Sequence, residues 1–229
     1  MRMAVHGFKG LMREQGVLVG LMALMVGSFL VQIFGPARYE MAGVLVPAKV
    51  IDSFHHVRAG QGDVADAWQF FTLLSYAFLH GDGFHLTGNL LYFWGFGALV
   101  SELLGWRWML GIFFMTAVAA GLVHLGLNRS DLIPTLGASG AVSGFMGAYL
   151  GMALRWHLPN PHIWPMAEPV PPHYLALLAG GFVVMDYYSQ FSGSEEGIAF
   201  GAHIGGFTMG LVLTALVVPK PALAGKRIG

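Results

Sequence analysis

The sequence predicts an all-α membrane protein, a bundle of six transmembrane helices, and three observations lead there. Of its 229 residues, 55% are hydrophobic and only 10% charged, against roughly 25% charged in soluble domains. Mean hydropathy is +0.63. The apolar residues also lie in long runs and not at the amphipathic spacing that encloses a water-soluble core. One membrane domain over residues 1–229 is the simplest organisation that accommodates them.

A span needs about 20 mostly apolar residues, because each rises about 1.5 Å across a hydrocarbon layer of about 30 Å. Six segments qualify: 16–35, 84–102, 108–127, 138–154, 174–191 and 198–218. The first follows a short segment, 1–15, with the basic residues Arg2, Lys9 and Arg13. It is longer than a signal-peptide core and has no small-residue cleavage site, so it reads as a retained span. The stretch 36–83 carries Glu40, Lys49, Asp52, Arg58, Asp63 and Asp66 among short apolar pieces at 44–47 and 68–79. Too broken to span, it is predicted to fold as a large first loop at the interface, where Trp and Phe rings are favoured. The Pro-rich 157–172 reads as a connection and 219–229 as a tail.

Lys and Arg set the orientation. Six spans put Arg2, Lys9, Arg13, Arg107, Arg155, Lys220, Lys226 and Arg227 on one side, against Arg38, Lys49, Arg58 and Arg129 on the other. Both termini are therefore expected in the cytoplasm, with the acids Asp131, Glu195 and Glu196 outside. A bacterial inner membrane is the expected location, because the chain is compact and shows no transit peptide or added soluble domain.

Composition also excludes function classes. Formal net charge is zero and no basic run occurs, which argues against nucleic acid, whose phosphates demand clustered cations. Without cysteine, an enzyme here must work with Ser, His or carboxylates. The chain has ten histidines but no H-E-x-x-H or comparable close set, so neither metal nor cofactor is expected.

Polar side chains inside spans are costly unless paired, and they mark function by default. His85 and Asn89 open the second span, Ser139 opens the fourth within Gly137-Ala138-Ser139-Gly140, and His203 opens the sixth within Ala202-His203-Ile204-Gly205-Gly206. Even-numbered spans enter from the outer side, so these residues share one depth. A serine hydroxyl needs a base to take its proton and donors to hold the oxyanion that develops on the attacked carbonyl. Ser139 and His203 meet the first need. His85 and Asn89, one helical turn apart on a common face, can aim two N–H groups at one oxygen. The Ser139 backbone N–H, unpaired in a first helical turn, can join them. Close approach of the fourth and sixth spans is expected from the small residues Gly140, Gly144 and Ala148 opposite Gly206 and Gly210.

These motifs, G-x-S-G at 137–140, A-H-x-x-G-x-x-x-G at 202–210 and H-x-x-x-N at 85–89, resemble the rhomboid family of intramembrane serine proteases. The likeness runs from about Trp68 to Gly210, in the family's order. It implies a six-helix core and a Ser139–His203 dyad without an obligatory acid. It further implies an oxyanion site served by His85 and Asn89, single-pass or membrane-anchored protein substrates cut near the outer face of the lipid bilayer, and the fifth span as gate. Three features depart from the family pattern. Ser143 stands where many members carry an aromatic against the catalytic ring, the family's Trp-Arg pair is Trp68-Gln69, and the loop 192–197 is longer than in short bacterial members.

The blander reading of Ser139 is a small residue at a helix crossing, of His203 a buried imidazole satisfied by a carbonyl, and of Asn89 an interhelical hydrogen bond. Their shared register favours catalysis. His80 and His124 are assigned no role. Asp186 in the fifth span either supports the site from behind or makes a structural hydrogen bond. The main rival is a catalytically inactive rhomboid-like scaffold that binds membrane clients. A small transporter is second, disfavoured because no repeat is present and the polar set lies near one surface.

Overall fold

A computed structural model of the chain describes residues 8–36, 42–160, 170–192 and 198–225, with the backbone alone for 8–14. Among them are eight α-helices: α1 (Phe8–Phe34), α2 (Pro47–Arg58), α3 (Val64–Ser75), α4 (Gly83–Leu104), α5 (Trp106–Leu127), α6 (Ser139–Arg155), α7 (Pro172–Ser192) and α8 (Phe200–Leu216). Backbone bridging between described residues is confined to the isolated pairs Leu45–Thr135 and His157–Gly225. Several residues used to orient the chain, Arg2, Arg38, Glu195, Glu196, Lys226 and Arg227, lie outside the described residues, as do Glu40 of the first loop, 161–169 of the Pro-rich connection and 193–197 of the last loop.

The six apolar segments coincide with α1 and α4 to α8. By length and composition alone, two helices are long and apolar enough to cross a bilayer, Gln15–Phe34 and Trp106–Leu127. The others fall short of that measure for identifiable reasons. Helices α6 and α8 have 17 residues each, while α4 and α7 carry polar groups such as His85, Asn89, Glu102, Asp186 and Gln190 along their lengths.

The first loop is more structured than its broken pattern suggested. Helix α2 begins with Pro47 at its start, where a missing N–H leaves no bond unmade. Helix α3 opens with a reciprocal cap: Asp66 N–H donates to Asp63 Oδ1 at 3.0 Å and Asp63 N–H to Asp66 Oδ2 at 3.1 Å. A single 3₁₀ turn, Tyr76–Phe78, follows. This loop braces the segment that leads into α6. Leu45 and Thr135 exchange backbone bonds of 3.0 and 2.7 Å, and Gly137 N–H donates to the Tyr76 carbonyl at 3.0 Å.

Helix α6 is central, touching α4, α5, α7 and α8, and its Phe145, Tyr149 and Met152 have no exposed surface. Its glycines serve two neighbours. A Cβ on Gly140 or Gly144 would strike Ala120 or Thr116 of α5, whereas a Cβ on Gly147 or Gly151 would strike the backbone of α8 at Phe207 or Leu211. The expected stripe therefore faces α5, and α8 is met by the next face of the same helix. There Gly206 and Gly210 lie directly against the carbonyl oxygens of Gly140 and Gly144. The Thr214 hydroxyl closes the same seam by donating to the Ala148 carbonyl at 2.9 Å.

Candidate active site

Helices α4, α6 and α8 all present their N-terminal turns at one end of the bundle, and the antiparallel α7 brings its C-terminal turns there. Ser139 is the first residue of α6, and no side chain caps that helix. Its leading N–H groups thus remain open to an anion. Across the seam, His203 Nε2 lies 2.9 Å from Ser139 Oγ. Both residues are half-buried.

The imidazole of His203 is held on two further sides. Its Nδ1 lies 3.0 Å from Asp186 Oδ1 on α7, and the ring of Phe200, one turn earlier on α8, meets it edge-on with centroids 6.3 Å apart. Ring support thus comes from within α8, where Ser143 of α6 supplies none. The sequence left Asp186 between a supporting and a structural role and did not point to Phe200. A carboxylate inside an apolar run was the available signal for the first, and an aromatic three residues before the histidine for the second.

His85 stands in the first turn of α4, whose N-cap Asp82 accepts from its backbone N–H at 2.8 Å. Its ring lies over Gly137, so that a Cβ there would sit 2.7 Å from both Cε1 and Nε2, while the same point is 3.7 Å from Ser139 Oγ. Gly137 also has φ +129°, a left-handed value that a side chain resists. Two constraints thus demand glycine at this place. The His85 Nδ1 accepts a long bond of 3.5 Å from Gly81 N–H. This arrangement leaves Nε2–H as the donor on the Ser139 side.

Asn89 is buried, but its amide nitrogen donates to the His85 carbonyl at 2.9 Å, within its own helix. One N–H of the two is committed there, and the second is the one left for another acceptor. Beneath this layer, His80 is 1% exposed and its Nε2 accepts from Ala138 N–H at 3.5 Å. His124 joins Thr135 Oγ1 through Nε2 at 2.9 Å, tying α5 to the segment before Ser139. Both histidines brace the approach to α6.

Burial, and after it the nearby charge of His85, push the His80 pKa down to about 4. An unfolded chain protonates this group near 6.5, so between those values the unfolded state holds more protons and stability falls as pH falls. Thermal unfolding at pH 7 and pH 4.5 is expected to show that loss. In His80→Gln the decline should be shallower, and an equal decline would remove His80 as its source.

A family model described as Rhomboid domain matches residues 67–220. The chain belongs to the rhomboid family. Among its relatives, Rhomboid-type serine protease 2 of Emericella nidulans is 30% identical over 162 residues, covering 70% of this chain and 29% of that protein. Rhomboid protein 1, mitochondrial, of Saccharomyces cerevisiae is 29% identical over 151 residues, covering 58% and 41%. The chain thus spans less than half the length of each relative. Rhomboid membership makes it an integral membrane protein with a helical bundle. Both relatives are eukaryotic and one is mitochondrial, so they lend no support to the bacterial inner membrane expected from the sequence.

Proposed function

We propose that this rhomboid is an intramembrane serine endopeptidase with Ser139 as nucleophile and His203 as general base. The observation that carries the reading is the 2.9 Å contact between Ser139 Oγ and His203 Nε2, made at the uncapped N-terminus of α6. His203 takes the hydroxyl proton as Oγ attacks the scissile carbonyl, and then returns it to the departing amine. The Ser139 N–H, His85 Nε2–H and the second N–H of Asn89 hold the oxyanion, Asn89 turning its amide toward it when substrate is present. Water then enters to hydrolyse the acyl-enzyme.

In this reading the six apolar helices α1 and α4 to α8 cross the bilayer as one domain, with both termini on the cytoplasmic side. The substrates are single-pass or membrane-anchored proteins cut near the outer face. The main rival, a client-binding scaffold of the same fold, predicts an inert serine. A fluorophosphonate probe separates the two. Purified protein in detergent is expected to be labelled in the wild type and not in Ser139→Ala. No labelling of folded wild type, or equal labelling of both, would overturn the enzyme reading.

A further inference from the structure

We infer that Asp186 is a positioning residue for the proposed reaction, fixing the tautomer and orientation of His203 so that its basic nitrogen faces Ser139. The inference rests on the serine-protease reading and extends it from a pair to a set of three side chains. An acid was not required by the family resemblance, and the sequence left this one between two roles.

Asp186 stands two turns before the end of α7, a helix with only Leu175 and Ala179 buried among its 21 residues. Nine large apolar side chains, including Phe182, Val184, Met185 and Tyr188, are exposed along it. Asp186 and Gln190, four residues apart, face α8 instead: Asp186 reaches His203 Nδ1 at 3.0 Å, and Gln190 Oε1 lies 3.4 Å from where a Cβ on Gly201 would be. A carboxylate in such a helix is costly to hold unless paired. Its partner among the described residues is one nitrogen of the ring whose other nitrogen meets Ser139.

That placement decides a protonation state. An ionised carboxylate can only accept, so Nδ1 must carry the ring proton and Nε2 must present its lone pair to the Ser139 hydroxyl. The opposite tautomer would aim an N–H at Oγ and could not act as base. The bond also opposes rotation of the ring, 13% and 17% exposure of the two side chains leaving modest access for competing water. When Nε2 receives the serine proton, the imidazolium forms beside a negative charge and the same contact becomes an ion pair. No proton needs to pass to Asp186. The titratable groups around His203 are Asp186 from α7, His85 from α4 and His124 from α5. Asp186 is the one carboxyl group of the set.

Full-length protein in proteoliposomes, with a membrane-anchored fluorogenic substrate, provides the test through Asp186→Asn and Asp186→Glu. Asparagine is expected to lower kcat about 100-fold, below the roughly 10⁴-fold loss known for a fully buried triad aspartate, with KM within about twofold. The acid limb of kcat/KM should move to lower pH, because the imidazolium loses its anionic neighbour. Glutamate should restore part of kcat and return the limb. A purely structural contact would alter melting without moving that limb. Asparagine with wild-type kcat and an unmoved limb, while Ser139→Ala is inactive, would overturn this inference and leave the proposed function intact. Cleavage by Ser139→Ala would instead overturn the function. Should the asparagine variant not fold, ¹⁵N NMR of the wild-type ring decides: Nδ1–H is expected at neutral pH, and an Nε2–H tautomer would end the assignment.

Discussion

Alanine at Ser139 or at His203 is expected to lower the cleavage rate of a membrane-anchored substrate by about 10⁴-fold or more, and the double variant should be no slower than either single one. The two side chains depend on each other. Oγ is a poor nucleophile while it keeps its proton, and the imidazole has no use as a base once no hydroxyl lies 2.9 Å away. Removing either partner removes the whole unit, which is why such losses do not add. What survives should be the modest contribution of the oxyanion donors and of substrate binding, which is about 10³-fold over water in serine proteases. KM should change little, since neither side chain holds the ground-state substrate. Initial rates on one substrate with all three variants provide the measurement. Losses that multiply in the double variant would mean that Ser139 and His203 act separately, and the proposed mechanism would fall.

The sequence announced the helices because each had a long apolar run and polar or glycine-rich ends; α4, for example, runs Gly83–Leu104 where 84–102 was expected. It was less explicit about the first loop. Helices α2 and α3 are 12 residues each, and their hydrophobic pieces were too short to distinguish interfacial helix from irregular chain. The cap between Asp63 and Asp66 was present in the letters but uses aspartate where glutamate or glutamine is the usual signal. At the site, Ser139, His203, His85 and Asn89 were conspicuous as polar residues at matching ends of alternate spans. The partner of Asp186 was not, because it depends on the rotation of α7 against α8, which spacing within one helix does not encode. The same limit explains the small-residue stripe. Gly140 and Gly144 signalled a close helix crossing, but only the assembled bundle shows that their side-chain face belongs to α5 while their carbonyls face Gly206 and Gly210.

That last arrangement leads to the second large effect: Gly206→Ala should sharply lower the proposed cleavage even though it leaves every proposed catalytic atom in place. Gly206 is one turn beyond His203, and its Cα lies against the carbonyl oxygen of Gly140, the residue after Ser139. A methyl group there would meet backbone, which cannot swing aside as the tip of a flexible side chain can. Helices α6 and α8 would have to part near the one place where their separation sets the Ser139 to His203 distance. An extra ångström takes a 2.9 Å contact beyond hydrogen-bond range. Overpacking of this kind costs about 1–3 kcal/mol, with a rigid backbone obstacle at the upper end. For a chain of this size that corresponds to a melting point lower by about 6–12 °C. Well below that midpoint, kcat should still be reduced by about 100-fold, because the dyad geometry suffers before the fold does. Gly111→Ala supplies the contrast, since nothing lies within 4 Å of a Cβ at that position on α5. There the same substitution should leave cleavage unchanged and raise stability slightly, as alanine favours helix over glycine. If Gly206→Ala melted and cleaved like wild type, the backbone contact between α6 and α8 would not be what holds the two residues together.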